Sequence, residues 1–152
     1  MNYWRMQLHP SERELATYHS IQSLAAGFIG LDFAEDVGDL RLCERNALPS
    51  HHRDYWDFAH TMKPDDLVLV IAHHFPLALA RVTGDYNYIS RTEREIGVWF
   101  RHFRRAETIS HYADVVTDVR TWEQVRMTDT ISILKDPSSK SRQLIDSWCA
   151  AI

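Results

Sequence analysis

The sequence predicts an α+β fold, a small, strongly bent β-barrel with helices packed outside it. Three observations carry that expectation. β-rich runs crowd together at residues 67–72, 77–86 and 97–109. The first of them is almost wholly apolar, the pattern of a strand buried on both faces. Between the first two runs, His73 to Pro76 is too short for a crossover and suits an antiparallel hairpin. Helical patterns are few and do not alternate with the strands, which argues against a doubly wound sheet.

Taken in order, residues 2–8 alternate and carry Tyr3 and Trp4, a first strand. Ser11 and Glu14 stand in the capping-box spacing and predict a helix over 11–25, with Leu15, Tyr18 and Leu24 among its apolar positions and Gly27 closing it. Residues 27–33 read as a short second strand. Its two glycines leave room for a backbone or a flat ligand. Residues 34–50 have no clear period and read as loop. Tyr55, Phe58, Ala59 and Met62 form one stripe of a helix over 54–62, which Pro64 ends. In 97–109, aromatics interleave with arginines, suggesting an apolar core face and a basic outer face. Residues 128–134 fit no single state. Asp136-Pro137 is a cap and first-position pair for a last helix over 138–150, whose apolar face is Leu144, Ile145 and Trp148.

At 152 residues the chain is read as one domain, 1–152, with a single core. No apolar run approaches the ~18 residues of a membrane helix, and a charged-then-apolar leader pattern is lacking. Cys43 and Cys149 match no metal or redox spacing and read as unpaired thiols, so the expected compartment is the cytoplasm. A net charge of −4 opposes nucleic-acid binding through a global basic field, yet arginines gather between residues 81 and 105.

Motifs that carry catalysis are missing. There is no GxSxG elbow, no phosphate loop and no HExxH, and neither cysteine has a histidine context. The nine histidines include the pairs His51-His52 and His73-His74, but neighbours in a strand point to opposite faces, so they are read as loop or surface residues. Asp65-Asp66 reads as a solvated turn. The expectation is therefore a non-enzyme with no cofactor and no metal. A small hydrolase on an ASCH-type barrel, the alternative, would need a lysine in its cavity, and Lys63 is the only lysine before position 135.

The aromatic residues say more. Trp4, Phe33, Trp56, Tyr86, Tyr88 and Trp99 fall at or near strand ends or on the intervening helix. Taken singly, each is more often a core residue than a ligand contact. As a set they suit a stacked base, held by ~1–3 kcal/mol per contact. Extruding a base from a duplex costs a few kcal/mol, so phosphate contacts must assist, and Arg101, Arg104 and Arg105 could supply them. Asp32, beside Leu31, could read a base edge or cap a turn.

Tyr3-Trp4, residues 27–33 followed by Gly38-Asp39-Leu40, residues 62–69, residues 80–88, the Arg101–Arg105 run and residues 128–133 resemble EVE-type domains of the PUA-like superfamily, over nearly the whole chain. Such domains are similar in fold to YTH readers of methyladenine, and many are fused to or encoded with restriction nucleases. The resemblance implies a reader of a modified base, methylated cytosine or adenine, in DNA or alternatively in RNA, with cleavage left to a nuclease domain or partner chain. By position it implies one pocket wall at residues 29–33 and another at residues 97–99. Phe33 and Trp99 would stack on the base, Asp32 would read its edge and Tyr86 and Tyr88 would line the mouth. Leu31, Trp4 and Trp56 complete the expected pocket, and Arg81, Arg101, His102, Arg104 and Arg105 the expected backbone contacts. Gly30 or Leu31 stands where methyladenine readers place a tryptophan, so a different modified base or a cage rebuilt on Tyr86 or Tyr88 is implied. Asp65-Asp66 also replaces a common Gly-Asp pair.

Overall fold

A computed structural model describes residues 1–11 and 13–152. Seven strands, β1 (Tyr3–Gln7), β2 (Phe28–Leu31), β3 (Leu67–Ala72), β4 (Phe75–Val82), β5 (Asn87–Tyr88), β6 (His102–His111) and β7 (Ile131–Ile133), form one mixed sheet. The helices are α1 (Ala16–Ala25), α2 (Asp54–His60), the single turn α3 (Tyr112–Val115) and α4 (Lys140–Ala151). The order across the sheet is β2-β6-β4-β3-β1-β7, with β5 on β6. Only β1 and β3 run parallel. The fold is α+β, a curled half-barrel with helices around it, as the sequence predicts.

Curling follows from β6. Its first residues pair with β2, Leu31 opposite His102, and its last with β4, Ala78 opposite His111. A register shift near Leu79 bends it between the two partners. β3 lies where its unbroken apolar run places it. Val68 and Val70 face the barrel interior with Trp4, Ile29, Phe58 and Ile131, while Leu67, Leu69 and Ile71 pack with Leu79, Ile145 and Trp148 beneath α4. The barrel's seam is aromatic, His9 beyond β1 meeting Phe100 before β6 with centroids 4.9 Å apart.

Several local expectations change. The first helix starts at Ala16 after a 3-10 turn at Arg13–Leu15 and carries no side-chain cap; Glu12, inside the expected span, lies outside the described residues. It buries His19, Ser20, Ser23 and Leu24 and leaves Leu15 and Tyr18 exposed, because its inner face is held by His9–Ser23 hydrogen bonding and His19–Trp99 stacking. The last helix is capped by Ser139, whose hydroxyl accepts from the Arg142 N–H, while Asp136 binds Ser138 one turn earlier. The third β run begins at His102, and its phase is opposite to expectation. His102, Arg104 and Ala106 point inward, whereas Phe103 packs outside against Phe28. Pairing with the fully buried β2 fixes this face, since Ile29 sits opposite Arg104.

The glycine-aspartate variation acquires a reason. Asp65 has φ +76, a left-handed conformation that glycine adopts without strain. Asp66 is not solvated. It is 2% exposed and accepts from the Asn2 and Lys63 backbone N–H groups and from Trp4 Nε1 at 2.9 Å, tying β1 to the start of β3. Gly30 makes no room for a ligand: a side chain there would collide with the Phe100 ring and the His102 carbonyl.

Candidate functional site

The polar chemistry inside the barrel gathers at the start of β6. His102 is fully buried, with its ring among Phe33 (centroids 5.3 Å apart), Tyr88 (5.3 Å) and Tyr86 (6.0 Å). Tyr86 Oη lies 2.7 Å from His102 Nδ1 and accepts from the Leu40 N–H at 3.0 Å. Because the Leu40 N–H is itself a donor, Nδ1 is the acceptor in reach of the phenol's proton among the described residues, and with Nδ1 accepting the imidazole carries its own proton on Nε2. That Nε2–H has no partner among the described residues. Burial drives the His102 pKa down to about 4, so the ring is neutral at pH 7.

Phe33 has a second imidazole edge-on to it, His52, at 5.4 Å. The Nδ1 of His52 is also buried without a partner, and burial followed by the neighbouring His51 depresses its pKa. Tyr55 closes the cluster, 4.8 Å from Phe33, and its hydroxyl donates to Thr130. Two neutral imidazoles, each with one unsatisfied nitrogen, thus flank one phenyl ring. Buried polar atoms are nearly always paired, so such a concentration calls for a missing partner.

The loop after β2 packs beside this cluster. Asp32 accepts from the Arg101 side chain at 2.8 Å and from its backbone N–H at 3.2 Å, and Arg101 donates on to the Phe33 carbonyl at 2.7 Å. Asp36 accepts from the Tyr88 hydroxyl, a bond that lowers the carboxyl pKa and raises that of the phenol. Asp39 forms a two-pronged pair with Arg41, whose guanidinium lies 5.5 Å over the Tyr86 ring. Trp56 stands outside this cluster's centre, stacked on His60 at 3.7 Å and donating to the Cys43 carbonyl.

The expected constellation is therefore divided. Phe33, Asp32, Tyr86 and Tyr88 come together, with His102 at their centre rather than on a nucleic-acid backbone. Trp99 does not join them. It stacks on His19 at 4.5 Å, with Arg94 5.1 Å above its ring, at the α1 seam. Trp4 is a core residue bound to Asp66, and Leu31 is 1% exposed in the interior. Arg104 is 3% exposed and donates to the carbonyls of Phe58, Ala59, Met62 and Gly84, so it is closed to phosphate. Arg101 is engaged by Asp32. Arg81 and Arg105 are exposed, the latter 5.0 Å over Phe28. Lys63, the lysine an ASCH-type reaction would need, is exposed just after α2. His52 was hidden from sequence reasoning because adjacent histidines look like surface residues. Its spacing from Tyr55 on the next helix is the signal that could have found it.

No family model matches the sequence, and no curated protein does. Among solved structures the chain is similar to the YTH domain of the Zygosaccharomyces rouxii MRB1 protein, crystallised in complex with N6-methyladenosine RNA. Identity there is 16%, over 95% of this chain and 85% of that one, with a TM-score of 0.47. It is also similar to the MmI1 YTH domain, at 15% identity over 99% of this chain and 98% of that one, TM-score 0.45.

Proposed function

We propose that the chain is a nucleic-acid-binding reader that takes a modified, methylated base into the site formed by Phe33, His52, Tyr88 and His102. The observation that carries this reading is the pair of buried imidazole nitrogens beside Phe33 that have no partner among the described residues. Each unpaired group costs ~1–3 kcal/mol, which a ligand with donors and acceptors on one flat edge would recover. A nucleobase is such a ligand. His102 Nε2–H would donate to a ring nitrogen or carbonyl of the base. Tyr88, half-buried, packed on His102 and hydrogen-bonded at its exposed end to Asp36, is the ring that swings aside and then stacks. Asp36 and Asp39 offer acceptors to an exocyclic amine. Arg105, with Arg81 further along the sheet, remains for phosphates once Arg101 and Arg104 are assigned to the interior.

DNA is the target in this reading, with RNA as the competing substrate. Cleavage belongs to a fused nuclease domain or partner chain. Matched oligonucleotides in methylated DNA, unmodified DNA and methylated RNA, titrated against the wild type and Tyr88→Ala, test it. The wild type should prefer a methylated probe, and the variant should lose roughly 5- to 100-fold of that affinity, the worth of one stacking contact. Equal weak binding to all three probes, untouched by the substitution, would sink the proposal.

A further inference from the structure

A cavity lies between the start of α1 and the β3–β4 turn, and the base site does not use it. Its volume is about 340 Å3, and Gln7, Arg13, Ser20, His73, His74 and Thr128 are among its walls. Three features of these residues point to a ligand. The first is the turn joining β3 to β4, made only of His73 (φ 51) and His74 (φ 63). Two successive positive φ angles define a tight hairpin turn that Asn-Gly fills with least strain. Two imidazoles stand there instead, over the cavity. Strain of this kind concentrates where side chains have a task.

The second feature is how the turn is fixed. The Val125 N–H donates to the His74 carbonyl at 2.6 Å, and the Met127 N–H lies 3.4 Å from His74 Nδ1. With Nδ1 accepting, the proton sits on Nε2, and His74 presents an N–H donor. Gln7 braces the same segment, its amide donating to the carbonyls of Met127 and Asp129. The third is Ser20 on α1, 1% exposed and among the cavity's walls, whose buried hydroxyl has no hydrogen-bond partner among the described residues. Arg13 makes no ion pair among the described residues, and no described carboxylate lines the cavity.

Arg13, His74 and Ser20 thus line one cavity from the turn before α1, the β3–β4 hairpin and α1 itself, with no described carboxylate among its walls. We infer that this cavity binds a phosphate monoester, with the phosphate against Arg13, His74 and Ser20. A tetrahedral oxyanion accepts from several directions at once, as donors on three separate elements require. The room is at the small end of ligand cavities, which run from ~300 Å3 upward, enough for a phosphate and the group it esterifies. The monoester could be a free nucleotide or the terminal phosphate of a strand.

Titration of the whole chain, followed by the imidazole resonances of His73 and His74, tests the inference. The probes are inorganic phosphate, adenosine monophosphate, and one short DNA strand prepared with a 5′-phosphate or a 5′-hydroxyl. Phosphate-bearing probes should move those resonances and the 5′-hydroxyl strand should not. Arg13→Gln should weaken binding roughly tenfold or more, and Ser20→Ala severalfold. Response to the phosphorylated strand alone would assign a strand end, and an equal response to adenosine monophosphate a free nucleotide. Tyr88→Ala should leave the response to inorganic phosphate, the one probe without a base, unchanged, which separates the cavity from the base site. Absence of any response, or one indifferent to both Arg13→Gln and Ser20→Ala, would overturn the inference.

Discussion

His102→Asn should flatten the acid dependence of stability. In the folded chain burial holds the His102 pKa near 4, against an ordinary value of about 6.5. As pH falls through 6.5 the unfolded chain takes up a proton at this position that the folded chain refuses, so stability drops. The contribution is complete above pH 6.5 and is lost progressively toward pH 4. At about 1.4 kcal/mol for each tenfold in proton affinity, the whole loss is ~3–4 kcal/mol. Asparagine keeps a polar group facing Tyr86 and cannot titrate. Urea denaturation of both proteins at several pH values from 7.5 to 4.5 makes the comparison. The depressed pKa of His52 acts in both and cancels. The wild type should lose ~2 kcal/mol more than the variant across that range, whatever their absolute stabilities. Parallel curves would refute the picture of a buried, neutral imidazole.

Other parts of the fold offer sharper tests of assignment. Arg104→Ala removes a buried cation from four carbonyls and should cost ~3–5 kcal/mol in a urea titration, without altering the salt dependence of nucleic-acid binding in whatever fraction stays folded. Trp4→Phe deletes the Nε1 bond to Asp66 while keeping most of the ring volume, and a loss of ~1–3 kcal/mol in the same titration is expected. Replacing His73-His74 by Asn-Gly should raise the unfolding free energy in the same titration by ~1 kcal/mol or more, since both positions have positive φ.

How far the sequence carried can be argued from particular residues. β3 was legible because its apolar run has only one use, burial on both faces, and the two core clusters divide its side chains as that use requires. The antiparallel β3–β4 hairpin was legible from loop length alone. β6 was not, because a strand with arginine, histidine and phenylalanine in alternation looks the same in either phase. Its phase depends on β2, seventy residues away, and on the backbone carbonyls that solvate Arg104. Hydrophobicity alone places Arg104 outside. Helix α1 misled for a related reason, since its inner face is chosen by His9 and Trp99 and not by its own leucine and tyrosine. Phe33, Asp32, Tyr86 and Tyr88 stand out in the sequence as aromatic and acidic residues at strand ends, and the structure clusters them around His102. Trp99 was misplaced because position along the chain does not tell which side of the barrel a residue reaches.

The most direct measurement is the nitrogen-15 resonance of His102 Nε2 while the labelled chain is titrated with a methylated oligonucleotide and its unmodified twin. A partner supplied by the base should shift this resonance, together with His52 Nδ1, for the methylated strand and far less for the other. Binding that leaves both imidazoles unmoved while perturbing Trp99 would contradict the account and relocate the site to the α1 seam.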